Sequence, residues 1–208
     1  SLILTILLFP FFPIIGLILL ILSSYIFYFF RDPKRFVPVD DVIVSPADGI
    51  ITYIGSSQGP DILDNSSKEF IKVSIFLNIF NVHVNRLPTD GVIKKIKYIN
   101  GKFINATLDK SSEYNERNIL CLENHNKEII CVTQIAGLIA RRIICDVKEK
   151  QIIKKGHRFG IIKFGSRVDL YLPTNYQILV SKGQTVFGGE TIISNPNNIM
   201  EISNSIKD

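Results

Sequence analysis

The chain opens with a stretch in which apolar and polar positions do not alternate at all. Residues 1–30, SLILTILLFPFFPIIGLILLILSSYIFYFF, contain no charged side chain. A helix through them is hydrophobic all round, the mark of a segment surrounded by lipid or by a large core rather than of one face of a surface helix. Drawn straight over residues 2–30 it would be about 44 Å long at 1.5 Å per residue. That exceeds the ~30 Å hydrocarbon core of a bilayer. Pro10 and Pro13 each remove a backbone donor and break or kink the run. The pattern predicts one kinked, tilted membrane span, or a short helix followed by a shallow hairpin over residues 14–30. The run is too long for a secretory signal, and it lacks a basic leading region and a small-residue cleavage site.

Beyond residue 30 the pattern changes to short runs of β-branched and aromatic residues between turn signals. These cover residues 42–44, 50–54, 70–77, 92–99, 119–122, 129–135, 139–145, 159–164, 167–172 and 178–180. Runs of four to eight such residues predict strands, and no long amphipathic helix is expected between them. Two polar stretches, residues 55–69 and 105–118, are expected as loops, the second long enough to carry function. VSPADGIITYIG, IIKKGHRFGIIKFG and ILVSKGQTVFGGETII each have a strand–glycine turn–strand form. The expected class is mostly β (α+β): a compact lipoyl- or barrel-sandwich-like domain over residues 31–208, behind a hydrophobic anchor over residues 1–30.

Charge sharpens this division. The chain holds 24 Lys+Arg against 19 Asp+Glu, a net charge of +5, all of it after residue 30. Such an excess suits anionic lipid headgroups and is too small and dispersed to point to nucleic acid. Arg31, Lys34 and Arg35 follow the apolar run at once, which places the larger part of the chain on the cytoplasmic side of a membrane. Asp32-Pro33 stops the helix. Cys121, Cys131 and Cys145 sit beside aliphatic residues and are expected as reduced, buried thiols of a cytosolic compartment. Cys121, Cys131 and His125 match no zinc spacing, and no metal is expected. In a cytosolic domain the sequons at Asn65 and Asn105 carry no glycan.

Three stretches could carry chemistry. In FNVHVNRLP, alternation puts Asn81, His83 and Asn85 on one face of a strand; a lone histidine there is equally a hydrogen-bonded core residue. In SPADG, Asp48 precedes a glycine, as turn aspartates do. In KFGSRVDLYLP, Gly165-Ser166 interrupts a strand-like run, and glycine weakens a strand unless the backbone bends or is closely approached there. Serine, histidine and aspartate far apart in sequence are what a nucleophile, its base and an orienting carboxylate require; the three residues alone do not show that they meet. His125 and His157 lie in turns and are weaker candidates.

The stretches AGLIARRIICDVKEKQIIKKGHRFGIIKFGSRVDLYLP, FNVHVNRLPTDG, SPADG and GKFINATLDKSSEYNERN, with a hydrophobic N-terminus ending in FFRDPKR, closely resemble the short-form, archaeal-type prokaryotic phosphatidylserine decarboxylases over residues 29–193. The resemblance implies self-cleavage between Gly165 and Ser166, with Ser166 as nucleophile and His83 and Asp48 as base and orienting carboxylate. It implies a β chain, residues 1–165, and an α chain, residues 166–208, held as a heterodimer that could assemble further. Ser166 would become a pyruvoyl group, a covalent cofactor acting as electron sink for decarboxylation of phosphatidylserine at the cell membrane. His83 would return the proton to carbon. Arg141, Arg142, Asn115 and Arg117 are candidates for holding the headgroup, and the basic residues of RDPKR for holding its phosphate or anionic lipid. The site is FGS where many longer members have LGS, and Phe80 stands where some carry a second histidine. A relative acting on ether-linked serine lipids would share the headgroup chemistry. From another class, a membrane-anchored lipoyl-like adaptor predicts a coiled-coil insertion, and no sustained heptads occur. A lipoyl or biotinyl carrier needs a lysine such as Lys182 in a Met-Lys-Met or Asp-Lys setting, and the one methionine is Met200.

Overall fold

The computed structural model describes residues 3–4, 9, 12–63, 68–101, 115–137, 142–163 and 166–196. The chain divides into two units, Ser1–Pro33 and Lys34–Asp208. In the first, helix α1 spans Pro13–Phe29, 17 residues. Proline suits its first turn, where the missing N–H would have no helical partner. The helix runs on without the break that a hairpin over residues 14–30 would need. At 1.5 Å per residue it is about 25 Å long. Among the described residues no helix is long and apolar enough to cross a membrane. Ile14, Ile18, Ile21 and Phe27 are exposed along it.

The second unit is built of strands: β1 (Ile43–Val44), β2 (Gly49–Gln58), β3 (Glu69–Leu77), β4 (Val84–Arg86), β5 (Gly91–Ile99), β6 (Arg117–Glu123), β7 (Ile129–Ala136), β8 (Ile143–Cys145), β9 (Ile152–Ile153), β10 (Arg158–Ile162), β11 (Ser166–Pro173), β12 (Gln177–Ile178), β13 (Thr185–Val186) and β14 (Ile192–Asn195). Eight form one antiparallel sheet in the order β13-β2-β3-β11-β7-β6-β5-β9. Two three-stranded sheets accompany it, β1-β14-β12 and β4-β10-β8. The mostly β expectation holds, with differences in extent. β2 continues to Gln58 and β3 begins at Glu69, so the polar stretch 55–69 is strand at both ends. Most of the second expected loop lies outside the described residues, as do residues 139–141 and 164 of two expected strands.

Strand alternation gives the large sheet two different faces. One carries Val73, Ile75, Leu77, Leu120, Leu122, Val132, Val168, Leu170 and Leu172. They form the main core with Ile43, Ile143, Phe159, Ile162 and Ile193 from the two small sheets, which therefore pack on that side. The other face carries a smaller cluster, Phe70, Ile119, Cys121, Cys131 and Tyr171 with Ile62. The cysteine expectation is corrected here: Cys121 and Cys131 are joined by a disulfide. The β6–β7 register sets them directly opposite each other, and a cross-strand pair brings side chains into bonding range. Cys145 is a free thiol, and burial pushes its pKa up.

Candidate active site

Ser166 is the first residue of β11, a central strand. It pairs with Leu77 of β3 on one side and Ala136 of β7 on the other. It shares the core face with Val168 and Leu170, is fully buried, and its hydroxyl has no hydrogen-bond partner among the described residues. A buried hydroxyl left unpaired costs free energy, so this position calls for an account. Gly165 lies outside the described residues.

The topology brings the other two predicted residues to the same end of the sheet. β3 runs toward Leu77, turns through residues 78–81, and the chain returns over the core face as residues 82–86. His83 is thus met first, at the Ser166 end, and Asn85 lies further in. Asn85 is fixed by a buried chain of amides: Gln134 donates to its Oδ1 at 2.8 Å, and Asn118 donates to Gln134 at 2.9 Å. β4 pairs with β10, and the Ile162 N–H meets the His83 carbonyl at 3.3 Å, four residues before Ser166. His83 is fully buried, with Nδ1 2.9 Å from the carbonyl oxygen of Asn81. A carbonyl only accepts, so Nδ1 carries the proton and Nε2 is the basic nitrogen of the neutral ring.

Asp48 enters through β2. Ile50 pairs with Phe76 and Leu77 with Ser166, so the start of β2 lies two strands from Ser166, about 10 Å at the usual strand spacing. The Arg86 N–H donates to the Pro46 carbonyl at 2.9 Å and ties the SPADG turn to β4. The carboxylate itself has other partners than expected. Arg35 Nη2 donates to both its oxygens, at 2.9 and 2.7 Å, and the Gly188 N–H donates to Oδ1 at 2.7 Å. The Asn81 carbonyl is the hydrogen-bond partner of His83 Nδ1, and Arg35 is turned onto Asp48. The Arg35 and Asp48 side chains are 7% and 9% exposed. Nothing along the chain signals this pair, because thirteen positions and a change of direction separate the two residues.

The headgroup candidates part company. Asn115 is buried and donates to the carbonyl of Ala136, the residue opposite Ser166, at 2.7 Å. Beside it Tyr98 hydrogen-bonds Glu116; burial, then Glu116, pushes the tyrosine up to about 12. Arg142 is exposed, with its carbonyl accepting from the Lys163 N–H at 3.2 Å. Arg141 lies outside the described residues. Arg117 shares its face with Ile119 and Cys121, opposite to that of Ser166, and its Nη2 is 3.3 Å from Asp61. His125 stands against Asp41 at 3.0 Å.

Comparison with known proteins bears on this arrangement. A family model described as phosphatidylserine decarboxylase matches residues 22–194. Proteins named phosphatidylserine decarboxylase proenzyme from Rickettsia akari and Rickettsia prowazekii are each 55% identical over 181 residues, covering 86% of this chain and 78% of theirs. The Rickettsia bellii protein of the same name is 55% identical over 175 residues.

Proposed function

This chain belongs to the phosphatidylserine decarboxylase family, and from that membership we propose that it is a proenzyme that cuts itself at Ser166 and then converts phosphatidylserine to phosphatidylethanolamine and carbon dioxide. The buried Ser166 hydroxyl carries the reading: a core-facing position between two strands holds a nucleophile to which no described residue gives a hydrogen bond. His83 takes the hydroxyl proton on Nε2, its ring oriented by the Asn81 carbonyl. The oxygen adds to the Gly165 carbonyl, and the bond to the Ser166 nitrogen breaks as the acyl group passes from nitrogen to oxygen. Loss of the Ser166 Cα proton then expels the Gly165 carboxylate. Hydrolysis of the resulting dehydroalanine releases ammonia and leaves a pyruvoyl group at residue 166. That carbonyl supplies an electron sink for decarboxylating an amino-acid headgroup. His83, then carrying a proton, delivers it to the carbon that has lost its carboxylate. Arg35 holds the Asp48 carboxylate in place at the same end of the sheet, and with it the turn that is tied to β4.

The two products stay together as a heterodimer. β11 begins the α chain and lies between β3 and β7 of the β chain along its length, so parting them would break two ladders of the central sheet. The exposed apolar residues of α1 favour attachment to a membrane, and the basic residues after it favour its cytoplasmic surface.

Intact-mass measurement of the purified protein tests the cleavage. The expected result is two species, residues 1–165 and 166–208 with residue 166 as pyruvoyl, and a Ser166→Ala variant that remains whole. Efficient cleavage of that variant at the same bond would overturn the mechanism.

A further inference from the structure

The face of the large sheet turned away from Ser166 holds a cavity of about 340 Å³, lined by Lys72, Asp61, Arg117, Thr133 and Tyr171 among others. This is the size at which small-molecule sites begin. Among the described residues its lining carries two cations, Lys72 and Arg117, and one carboxylate, Asp61, whose side chain is 69% exposed at 3.3 Å from Arg117. The next ion pair on this face adds no net charge, because Arg167 and Asp169 are buried against each other at 2.6 Å. Thr133 is 4% exposed, and its Oγ1, at the cavity wall, has no hydrogen-bond partner among the described residues. An unpaired buried hydroxyl is costly in a folded chain, and a ligand oxygen is one way to satisfy it. Burial keeps the Tyr171 hydroxyl protonated, so it too can donate. Two cations and two hydroxyl donors around one space match a group rich in acceptor oxygens, and the volume leaves room for more than a bare ion.

We propose that this cavity is a second binding site, for a small phosphate ester, on the face of the sheet opposite Ser166. The ester is either a soluble molecule or the headgroup of a phospholipid. Binding needs no decarboxylation, so the site stands or falls separately from the reaction assigned to Ser166.

The test is calorimetric titration of full-length Ser166→Ala protein with O-phosphoserine and with inorganic phosphate. Saturable binding is expected, with O-phosphoserine the tighter ligand. Lys72→Gln should weaken it about 10-fold and Thr133→Val about 5-fold, one charged and one neutral hydrogen bond respectively. Thr133→Ser keeps the hydroxyl and should bind as the parent does, which guards against a valine variant that simply packs badly. Repeating the titration in nanodiscs separates the sources. Weakening by phosphatidylglycerol relative to phosphatidylcholine that Thr133→Val abolishes assigns the site to a lipid headgroup; equal affinity in the two assigns it to soluble esters. No saturable binding, or unchanged affinity in Lys72→Gln or in Thr133→Val, would overturn the proposal.

Discussion

At the scale of single residues, the buried pair Arg35–Asp48 is the feature on which most turns. Each side chain is nearly sealed from water, and removing one partner of such a pair typically costs about 3–5 kcal/mol, because the other charge stays buried and alone. Arg35→Gln is therefore expected to lower stability by about 3 kcal/mol, measured by urea unfolding in the Ser166→Ala background. It should also slow self-cleavage about 10-fold or more, equivalent to about 1.4 kcal/mol on the barrier, since the SPADG turn would lose the group that fixes its carboxylate. Arg35→Lys restores the charge without the planar fork and should recover part of the rate. Cleavage of Arg35→Gln at the parental rate, followed by gel at a temperature where the variant is folded, would show that Asp48 needs no cation.

At the scale of elements, two glycines mark how closely the strands must approach. A Cβ on Gly49, at the start of β2, would lie 2.2 Å from the Phe76 carbonyl oxygen. A Cβ on Gly91, at the start of β5, would lie 2.2 Å from that of Glu123. Both distances force backbone to move. Gly49 lies at the Ser166 end of the sheet, whereas the β5–β6 register puts Gly91 at the far end. Gly49→Ala and Gly91→Ala should thus lower the melting temperature by similar amounts, each losing about 1–3 kcal/mol. Only Gly49→Ala should also slow self-cleavage. Equal cleavage rates in the two variants would mean that the β2–β3 approach does not position the site.

At the scale of the molecule, the proposed function gives membrane attachment to one unit and the chemistry to the other. Every strand and every described contact around Ser166 belongs to the unit that begins at Lys34, so a protein lacking residues 1–30 is expected to cut itself at close to the parental rate. Its hold on a bilayer should fall sharply. Basic residues near an anionic surface contribute only about 1 kcal/mol each, and the apolar side chains exposed along α1 would be gone. Flotation with anionic vesicles measures the hold, and a short-chain, water-soluble phosphatidylserine measures the chemistry separately. Loss of activity on vesicles with retention on the soluble substrate is expected. Equal activity on both would remove α1 as the anchor that matters.

What the sequence determined by itself is whatever depends on neighbours along the chain. The uncharged opening, the short β-branched runs and the Gly-Ser interruption were legible because period, charge and turn chemistry act over a few residues. The motifs around Asp48, His83 and Ser166 carried the family, which the 55% identical relatives share. Tertiary structure decided what depends on strand order and register. It placed Arg35 on Asp48 and gave the His83 tautomer to the Asn81 carbonyl. It bonded Cys121 to Cys131 where separate thiols were expected, because β6 and β7 happen to set them opposite each other. It also turned Arg117 away from Ser166, since alternate residues of a strand face opposite sides and only the pairing says which side is the core.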